Sequence, residues 1–363
     1  MSKKIKKKVK NQVYENYWNL TMAWTNFNGS KFLKTLKITV DFIDNNKKRY
    51  APEVYDKLQQ KISTELDLDC QSVRKGVNEL VKLGFVNSFL RGYHPLSKDY
   101  LNTTNEEERN LLLSKIVYSN ASFQRSVTKE SDIREINFVI NTLEHLTCLE
   151  DKYLGVLIST NIANYPQGYI SFEDLDLLYN REKRSKFEQR KYNQIGYLKG
   201  LLKKLNGIVY RNGKFCLEKD TDKIQVEDEQ KAEIKGRDPY LQRIYKQQLK
   251  KESFDVLGRV KCMVERLEYP VLIASHIKPF RNSNKEEAFD PNNGLLLSKN
   301  LDSLFDLNYI SFTDDGYIIF YDRTPDDIKQ FWKTYQLDKR FINPERLRYL
   351  SYHRKLCENK NKV

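Results

Sequence analysis

The stretch between residues 271 and 306, in which short apolar runs alternate with polar loops, constrains the fold most. The run VLIASHIKP is apolar and β-branched and ends at a proline, which predicts a buried strand with His276 near its end. After a polar loop, GLLL from Gly294 predicts a second short strand. Ser298 is a good N-cap for a helix with an apolar face made of Leu301, Leu304 and Phe305. We therefore expect a strand, a loop, a second strand and a helix, in that order.

Three side chains in this stretch can carry chemistry. A neutral imidazole at His276 can take a proton from water near neutral pH, since histidine has an unperturbed pKa of about 6.5. Asp302 and Asp306 are four residues apart, so they lie on one face of the predicted helix. Two adjacent carboxylates repel each other unless a cation lies between them, and oxygen ligands suit a hard ion such as Mg²⁺ or Mn²⁺. The pattern favours a site that hydrolyses a phosphodiester.

The segment from about residue 240 to 354 resembles the HNH, or ββα-metal, endonuclease domain of many bacterial restriction endonucleases. The resemblance is carried by SHIKP, DPNNGLLLS and LDSLFD, and it is closest to the subgroup marked by SHIKPW, NGLLLS and LFD. Flanking stretches also match, namely QRIYKQQLKKESFDVLGRVKC before the motif, LNYISFTDDGYIIF after it, and YHR near the C-terminus. This resemblance covers roughly the last third of the chain.

The resemblance implies a role for each residue of the motif. His276 is the expected general base, and Asp302 and Asp306 are the expected ligands of one Mg²⁺ or Mn²⁺ ion. Asn293 is the residue expected to order the loop between the strands. The nearby His353 is expected to pack or cap near the C-terminal helix.

The sequence departs from the family pattern at two positions. Phe280 stands where the pattern has tryptophan, and Ser275 stands where many HNH enzymes have a metal-binding aspartate. Water or Asn293 is then left to complete the metal shell. Relatives with paired cysteines bind a structural zinc, but this segment offers only Cys262 and the distant Cys357, so no structural zinc is expected.

The composition agrees with a nucleic-acid partner. The formal net charge is +14, which attracts a polyanion, although membranes and RNA attract a basic protein too. Five scattered cysteines, no apolar run long enough to span a membrane and no signal-peptide core predict a reduced protein in the bacterial cytoplasm. The basic N-terminal MSKKIKKKVK is interpreted as a solvated tail in preference to a DNA-contacting arm.

The predicted fold class is α+β, with mostly helical winged-helix domains followed by a C-terminal ββα-metal domain. Residues 1–100 are expected to form a tail and a winged-helix-like domain, 101–150 a helical connector, and 151–222 a second winged-helix-like domain. The acidic, polar run at 223–234 is the predicted linker, and 235–363 the nuclease domain.

The first winged-helix-like domain is predicted from its helices. A helix runs from Pro52 to about Glu65, Asp69 caps a second helix, and the segment 83–93 is expected to form a hairpin. Side chains able to reach phosphates and base edges in a major groove face outward from the second helix, namely Gln71, Ser72, Arg74, Lys75 and Asn78. The alternative is a winged helix used only for packing or dimerisation.

The second winged-helix-like domain is predicted from three helices and a hairpin. The first helix spans Asp151 to Ala163, Ser171 caps the next, and Asn212-Gly213 turns a hairpin. The third helix carries exposed basic residues, including Arg190, Lys191, Lys199 and Lys203, of which the last two are predicted DNA contacts. In the nuclease domain Lys278 is a further predicted DNA contact.

The whole pattern predicts a type II-like restriction endonuclease that cuts sequence-specific sites in double-stranded DNA. Cutting both strands calls for a homodimer, and a cognate methyltransferase is a candidate partner. A modification-dependent enzyme that senses methylcytosine remains open as an alternative. A winged-helix regulator with an inactive nuclease domain is the other alternative, and the full set of His276, Asn293, Asp302 and Asp306 argues against it.

Overall fold

The computed structural model describes residues 18–46, 50–185, 187–218 and 238–361, without the side chains of 182–192 and 361. The chain divides into two compact units, residues 1–218 and 219–363. Both mix helices with small antiparallel sheets, so the fold class is α+β. The basic N-terminal tail, the predicted linker at 223–234 and the side chains of Arg190 and Lys191 lie outside the described residues. The finer subdivision of the first unit stays a prediction.

The first unit is mostly helical. Its helices are α1 (Ser30–Asn45), α2 (Pro52–Leu66), α3 (Cys70–Lys82), α4 (Leu96–Asn102), α5 (Glu106–Asn120), α6 (Glu135–Leu146), α7 (Leu154–Ser159), α8 (Phe172–Ser185) and α9 (Phe187–Leu202). Its strands are β1 (Cys148–Glu150), β2 (Ile208–Arg211) and β3 (Lys214–Leu217). The buried Trp18 donates its backbone N–H to the carbonyl of Ile158 and its indole N–H to the carbonyl of Thr160, so the segment before α1 is tied to the end of α7.

The predicted helix pair in the first half of this unit is confirmed. The Asp69 carboxylate accepts hydrogen bonds from the backbone N–H groups of Gln71 and Ser72, which caps α3. The apolar residues of α3 are buried at helical spacing, namely Val73, Val77, Leu80 and Val81.

The hairpin expected at 83–93 is wrong, because its pairing is reduced to a single bridge between Val86 and Tyr93. Between them a short 3₁₀ turn covers Ser88–Leu90. The turn is held by a neighbouring segment, since Phe89 N–H donates to Val127 O at 2.7 Å. Tertiary contacts have thus replaced the local strand pairing that the sequence pattern favoured.

The second predicted hairpin is confirmed. β2 and β3 pair in register from Ile208 and Leu217 to Arg211 and Lys214. Asn212 and Gly213 have φ of 49° and 75°, the left-handed values that a two-residue hairpin turn requires. β1 adds to the other side of β3, giving the order β1-β3-β2. The helix predicted for 151–163 is interrupted, and only α7 within it is α-helical.

Two cysteines correct the expectation that all five remain thiols. Cys148 on β1 lies directly opposite Cys216 on β3, and the two form a disulfide. They are 68 residues apart in sequence, so only the strand pairing brings them together. Cys70, Cys262 and Cys357 are free thiols.

The second unit is built around two small hairpins and their helices. It contains α10 (Pro239–Leu257), β4 (Ile273–His276), β5 (Gly294–Leu297), α11 (Lys299–Asp306), β6 (Ile310–Phe312), β7 (Ile318–Phe320), α12 (Asp326–Trp332) and α13 (Pro344–Asn361). Its core is a continuous apolar cluster that includes Tyr245, Leu249, Leu296, Phe305 and Leu350.

The expectation that His353 packs near the C-terminal helix is confirmed. The side chain is buried on α13 and stacks on Phe305 with ring centroids 3.9 Å apart. Its ring nitrogens contact the Ser311 hydroxyl and the carbonyl of Phe305. Burial lowers its pKa to about 4, so the ring is neutral at physiological pH.

None of the helices in the described part of the chain combines the length and the apolar character needed to cross a lipid bilayer.

Candidate active site

The predicted order of strand, loop, strand and helix is confirmed at 273–306. β4 and β5 are antiparallel, with Ile273 opposite Leu297 and His276 opposite Gly294. The Ser298 hydroxyl accepts from the N–H of Leu301 and caps α11, which packs against both strands. The buried GLLL run places β5 in the core. β4 therefore ends at a partly exposed His276, held by a rigid frame.

The carbonyl of Ala288 and the rings of Tyr245 and Phe280 contact the imidazole of His276 and orient it. Its Nε2 lies 2.9 Å from the carbonyl oxygen of Ala288. A carbonyl can only accept, so the proton lies on Nε2 and the lone pair of the neutral ring lies on Nδ1. One ring face stacks on Tyr245, with centroids 4.7 Å and planes 12° apart, and Phe280 contacts the ring at 82°.

Asn293 is buried and ties the two ends of the loop together. Its side-chain oxygen accepts from the N–H of Lys278 at 2.7 Å. Its amide group donates to the carbonyls of Lys278 and Glu287, at 3.2 and 3.0 Å, and lies 3.3 Å from the Ser283 hydroxyl. The backbone around it closes the frame, since the carbonyl of Asn293 accepts from the N–H of Ile277. The loop that carries Ala288 is thereby fixed relative to β4.

The turn at 290–293 is supported from α10 and α13. The buried Arg346 guanidinium donates to Pro291 O at 3.0 Å and forms two bonds of 2.8 Å with the Glu252 carboxylate. The Tyr349 hydroxyl donates to Asp290, whose other oxygen accepts from the N–H of Asn292. These bonds hold the turn just before β5 from outside the motif.

Asp302 is a partly buried carboxylate on α11, which packs against β4. Burial raises its pKa to about 6, a hydrogen bond from the buried Ser275 hydroxyl opposes that rise, and the charge of Asp306 adds to it. Its ionised form is therefore poorly solvated and faces a like charge one helical turn away. Ser275 precedes His276, so the hydroxyl that opposes the rise in the pKa of Asp302 belongs to the strand that carries the imidazole.

This donor set fits a hard divalent cation. A cation would relieve both the desolvation of Asp302 and its repulsion by Asp306, and carboxylate oxygens suit Mg²⁺ or Mn²⁺. Among residues 18–46, 50–185, 187–218 and 238–361, no cluster of three or more His, Cys, Asp or Glu side chains gathers to hold a metal. The side-chain oxygen of Asn293 is already bonded to Lys278, which makes it a poor candidate for completing the shell. Water and the phosphate itself are the remaining oxygen donors.

Lys278, a predicted DNA contact, lies beside the site but is paired. Its ammonium is 2.8 and 2.7 Å from the two oxygens of Glu287, and it lies over the Tyr352 ring at 5.3 Å. The ion pair lowers the pKa of Glu287. A phosphate contact by Lys278 would therefore compete with Glu287.

The predicted DNA contacts on α3 differ in their availability. Gln71, Arg74 and Lys75 are exposed. Asn78 is partly buried, and its amide contacts the protein: its oxygen accepts from Val127 N–H at 2.9 Å and its nitrogen donates to Arg74 O at 2.8 Å. Reading a base with Asn78 would break both bonds.

Lys199 and Lys203, predicted DNA contacts on and just after α9, both lie against Tyr210. Lys199 is 2.7 Å from the Asp151 carboxylate, which also accepts from the Tyr210 hydroxyl. Lys203 lies 4.1 Å from the centre of the Tyr210 ring and is exposed. Lys203 is thus the more available of the two cations.

Several residues that shape the site were not identified from the sequence. Tyr245, Glu252 and Arg346 lie on helices outside the motif and reach it only through the fold. Tyr245 does occur in the matching flank QRIYKQQL, but its contact with His276 is 31 residues away in sequence and leaves no periodic signal.

The family model described as HNH endonuclease matches residues 262–313 of this chain. No curated protein matches the chain. The matched residues contain β4, the loop, β5 and α11, so they include His276, Asn293, Asp302 and Asp306. The match supports an HNH endonuclease domain in the second unit, and with it a nuclease that acts on DNA.

Proposed function

We propose that this chain is a sequence-specific, metal-dependent endonuclease of the type II-like restriction kind, which cuts double-stranded DNA. One observation carries the proposal. β4 ends at an imidazole oriented by the carbonyl of Ala288, and α11, which packs against β4, carries Asp302, whose pKa is raised by burial. A proton acceptor and a cation-binding carboxylate are the two groups that hydrolysis of a phosphodiester requires.

His276 is the general base in this proposal. Because its proton lies on Nε2 against Ala288, Nδ1 accepts a proton from water. The oxygen of that water forms a bond to phosphorus, and the bond from phosphorus to the 3′ oxygen breaks. Asn293 and the bonds it makes across the loop keep Ala288, and hence the imidazole, in place during the reaction.

Asp302 and Asp306 would hold one Mg²⁺ or Mn²⁺ ion. When bound, the ion supplies positive charge that stabilises the phosphate and the departing 3′ oxygen. The Ser275 hydroxyl opposes the rise in the pKa of Asp302 and so favours the ionised form, which is the form that binds a cation. Asp306 is more exposed than Asp302, so its carboxylate can exchange water for the cation.

In this proposal the first unit recognises the DNA sequence. Exposed Gln71, Arg74 and Lys75 on α3 have the donors that reach phosphates and base edges, and Lys203 adds positive charge near the β2–β3 hairpin. One such nuclease site cuts one strand, so the proposal includes a homodimer on a symmetric DNA site and a cognate methyltransferase in the bacterial cytoplasm.

The test is digestion of plasmid DNA with Mg²⁺, run in parallel on methylated and unmethylated DNA and in excess EDTA. The proposal predicts discrete fragments from unmethylated DNA and none in EDTA. Cleavage confined to methylated DNA would move the assignment to a modification-dependent enzyme. Absence of cleavage from both substrates over a range of divalent metals would contradict the proposal.

A further inference from the structure

Tyr245 lies directly beneath the imidazole of His276. It is fully buried on α10, and the two rings are stacked with planes only 12° apart and centroids separated by 4.7 Å. The hydrogen bond from Nε2 to Ala288 fixes one atom of the imidazole, but the ring torsion of a histidine is broad. A flat, buried neighbour restrains that torsion, since any tilt of the imidazole would meet the phenol ring.

The hydroxyl of Tyr245 joins the two strand ends at this point. It donates to the carbonyl of Asn293 at 3.0 Å and lies 3.5 Å from the carbonyl of Ser275. These carbonyls belong to the residues before Gly294 and His276, which face each other across the strand pair. One side chain therefore supports both the ring of His276 and the backbone that carries it.

Gly294 accommodates Tyr245. A Cβ at this position would lie 2.2 Å from the Tyr245 hydroxyl oxygen and 2.8 Å from a methyl carbon of Leu249. The φ of Gly294 is −143°, which any residue can adopt. The glycine of the NGLLLS run is therefore required here by the space that Tyr245 occupies and not by the backbone conformation.

From these contacts we infer that Tyr245 is a positioning residue for cleavage, which holds the plane of the His276 imidazole so that Nδ1 stays aimed at the attacking water. The inference rests on the proposed function, because it assigns Tyr245 no chemistry of its own. It predicts that Tyr245 matters to the rate only while the imidazole is present.

The test is a double-mutant cycle on the full-length chain, measured as single-turnover cleavage with Mg²⁺. Tyr245→Leu should lower the rate by about 10- to 100-fold, because misplacing a catalytic group by about 1 Å can cost about 10²-fold. Tyr245→Phe keeps the stacked ring and loses only the hydroxyl, so its loss should be smaller, at about 3- to 10-fold. DNA affinity should change by less than about twofold in both variants.

The decisive comparison is made in a His276→Ala background. There Tyr245→Leu and Tyr245→Phe should each change the residual rate by less than about twofold, since residues acting as a unit are not additive. Tyr321→Phe is the matched control, because its hydroxyl also donates to a backbone carbonyl, that of Arg354. It should leave the rate within about twofold of wild type in both backgrounds.

NMR of the imidazole gives a second measurement that does not depend on cleavage. The chain has four histidines, so the His276 signals are identified by their loss in His276→Ala. Stacking on an aromatic ring shifts the imidazole protons upfield, and this shift should persist in Tyr245→Phe and vanish in Tyr245→Leu. If Tyr245→Leu does not fold, Tyr245→Phe still completes the cycle.

The outcomes separate the inference from the proposed function. Equal losses from the Tyr245 variants with and without the imidazole would overturn the inference, as would wild-type rates in both variants. If His276→Ala cleaves at the wild-type rate, His276 is not the general base and the inference falls with that role. Absence of cleavage by the wild-type chain over a range of divalent metals would contradict the proposed function itself.

Discussion

Replacing Asp302 by asparagine should stabilise the metal-free protein while it abolishes cleavage. Asn keeps the size and the ability to accept a bond from Ser275, and it removes a charge that is both desolvated and repelled by Asp306. An active-site carboxylate of this kind lowers stability in exchange for metal binding.

The expected gain in stability is calculated from the pKa of Asp302. A carboxyl whose pKa is raised from 3.8 to about 6 binds its proton more tightly in the folded state than in the unfolded state. Each pKa unit corresponds to about 1.4 kcal/mol, which sets an upper limit of about 3 kcal/mol. The carboxyl is partly exposed, so screening by water reduces this to about 1–2 kcal/mol.

The raised pKa of Asp302 also fixes how this stability difference changes with pH. The contribution of Asp302 to stability is fully present below pH 3.8 and is lost as the pH rises through about 6. Asp302→Asn should therefore be more stable than wild type at pH 7 in EDTA, and its advantage should disappear near pH 4. Mg²⁺ should narrow the difference at pH 7 by stabilising only the wild type.

The assay is calorimetry of both proteins at pH 4 and pH 7, with EDTA or Mg²⁺, following the transition of the second unit. Asp306→Asn is the matched control, because it removes the repulsion but not the desolvated charge, and it should give a smaller gain. Equal stability of wild type and Asp302→Asn at pH 7 in EDTA would refute the reasoning about this carboxylate.

Three other predictions concern the rest of the molecule. Arg346→Ala should lower the free energy of unfolding of the second unit by about 2–3 kcal/mol, which is less than the roughly 3–5 kcal/mol of a fully buried ion pair because Glu252 is partly hydrated. Lys251→Ala, which breaks an exposed ion pair, is the control and should lower it by under about 1 kcal/mol. Equal denaturation midpoints of the two variants would contradict this. Asp306→Ala should abolish cleavage with Mg²⁺, with Mn²⁺ restoring more activity than Ca²⁺; wild-type activity with Mg²⁺ would remove this carboxylate from the site. Arg74→Ala should relax specificity at one base pair per half-site, by about 1–3 kcal/mol. Lys203→Ala should instead weaken binding to all sequences and reduce the salt dependence of binding. Both are measured by binding assays at several salt concentrations with singly substituted DNA sites, and a loss of specificity in Lys203→Ala with a uniform loss of affinity in Arg74→Ala would contradict these roles.

The local part of the nuclease fold could be predicted from the sequence because its signals are local. The run before His276 and the GLLL run alternate with turn-forming residues, and Ser298 caps α11 as its residue type predicts. The same holds for Asp69 and for the Asn212-Gly213 hairpin, where side-chain chemistry and backbone conformation act within a few residues.

The rest could not be predicted, because it depends on contacts distant in sequence. The segment 83–93 has the composition of a hairpin, yet Phe89 bonds to Val127 instead. Asn78 was predicted to face outward and contact DNA, but its side-chain oxygen accepts a hydrogen bond from the N–H of Val127. The Cys148–Cys216 disulfide arises only from the pairing of β1 with β3.

The candidate active site likewise could be predicted from the sequence only in part. The residue types at His276, Asn293 and Asp302 indicated a nuclease from their spacing. Their surroundings did not follow from the spacing, since Tyr245 and Arg346 approach from helices that begin before and after the motif.

The most direct test of the central claim is single-turnover cleavage by His276→Ala, measured beside its DNA affinity in Ca²⁺. His145→Ala in the first unit is the matched control, because its ring also stacks on a tyrosine, Tyr169. The account predicts that His276→Ala loses about 10²- to 10⁴-fold in rate, the usual contribution of a general base, while binding DNA as tightly as wild type. Cleavage at more than half the wild-type rate would contradict it.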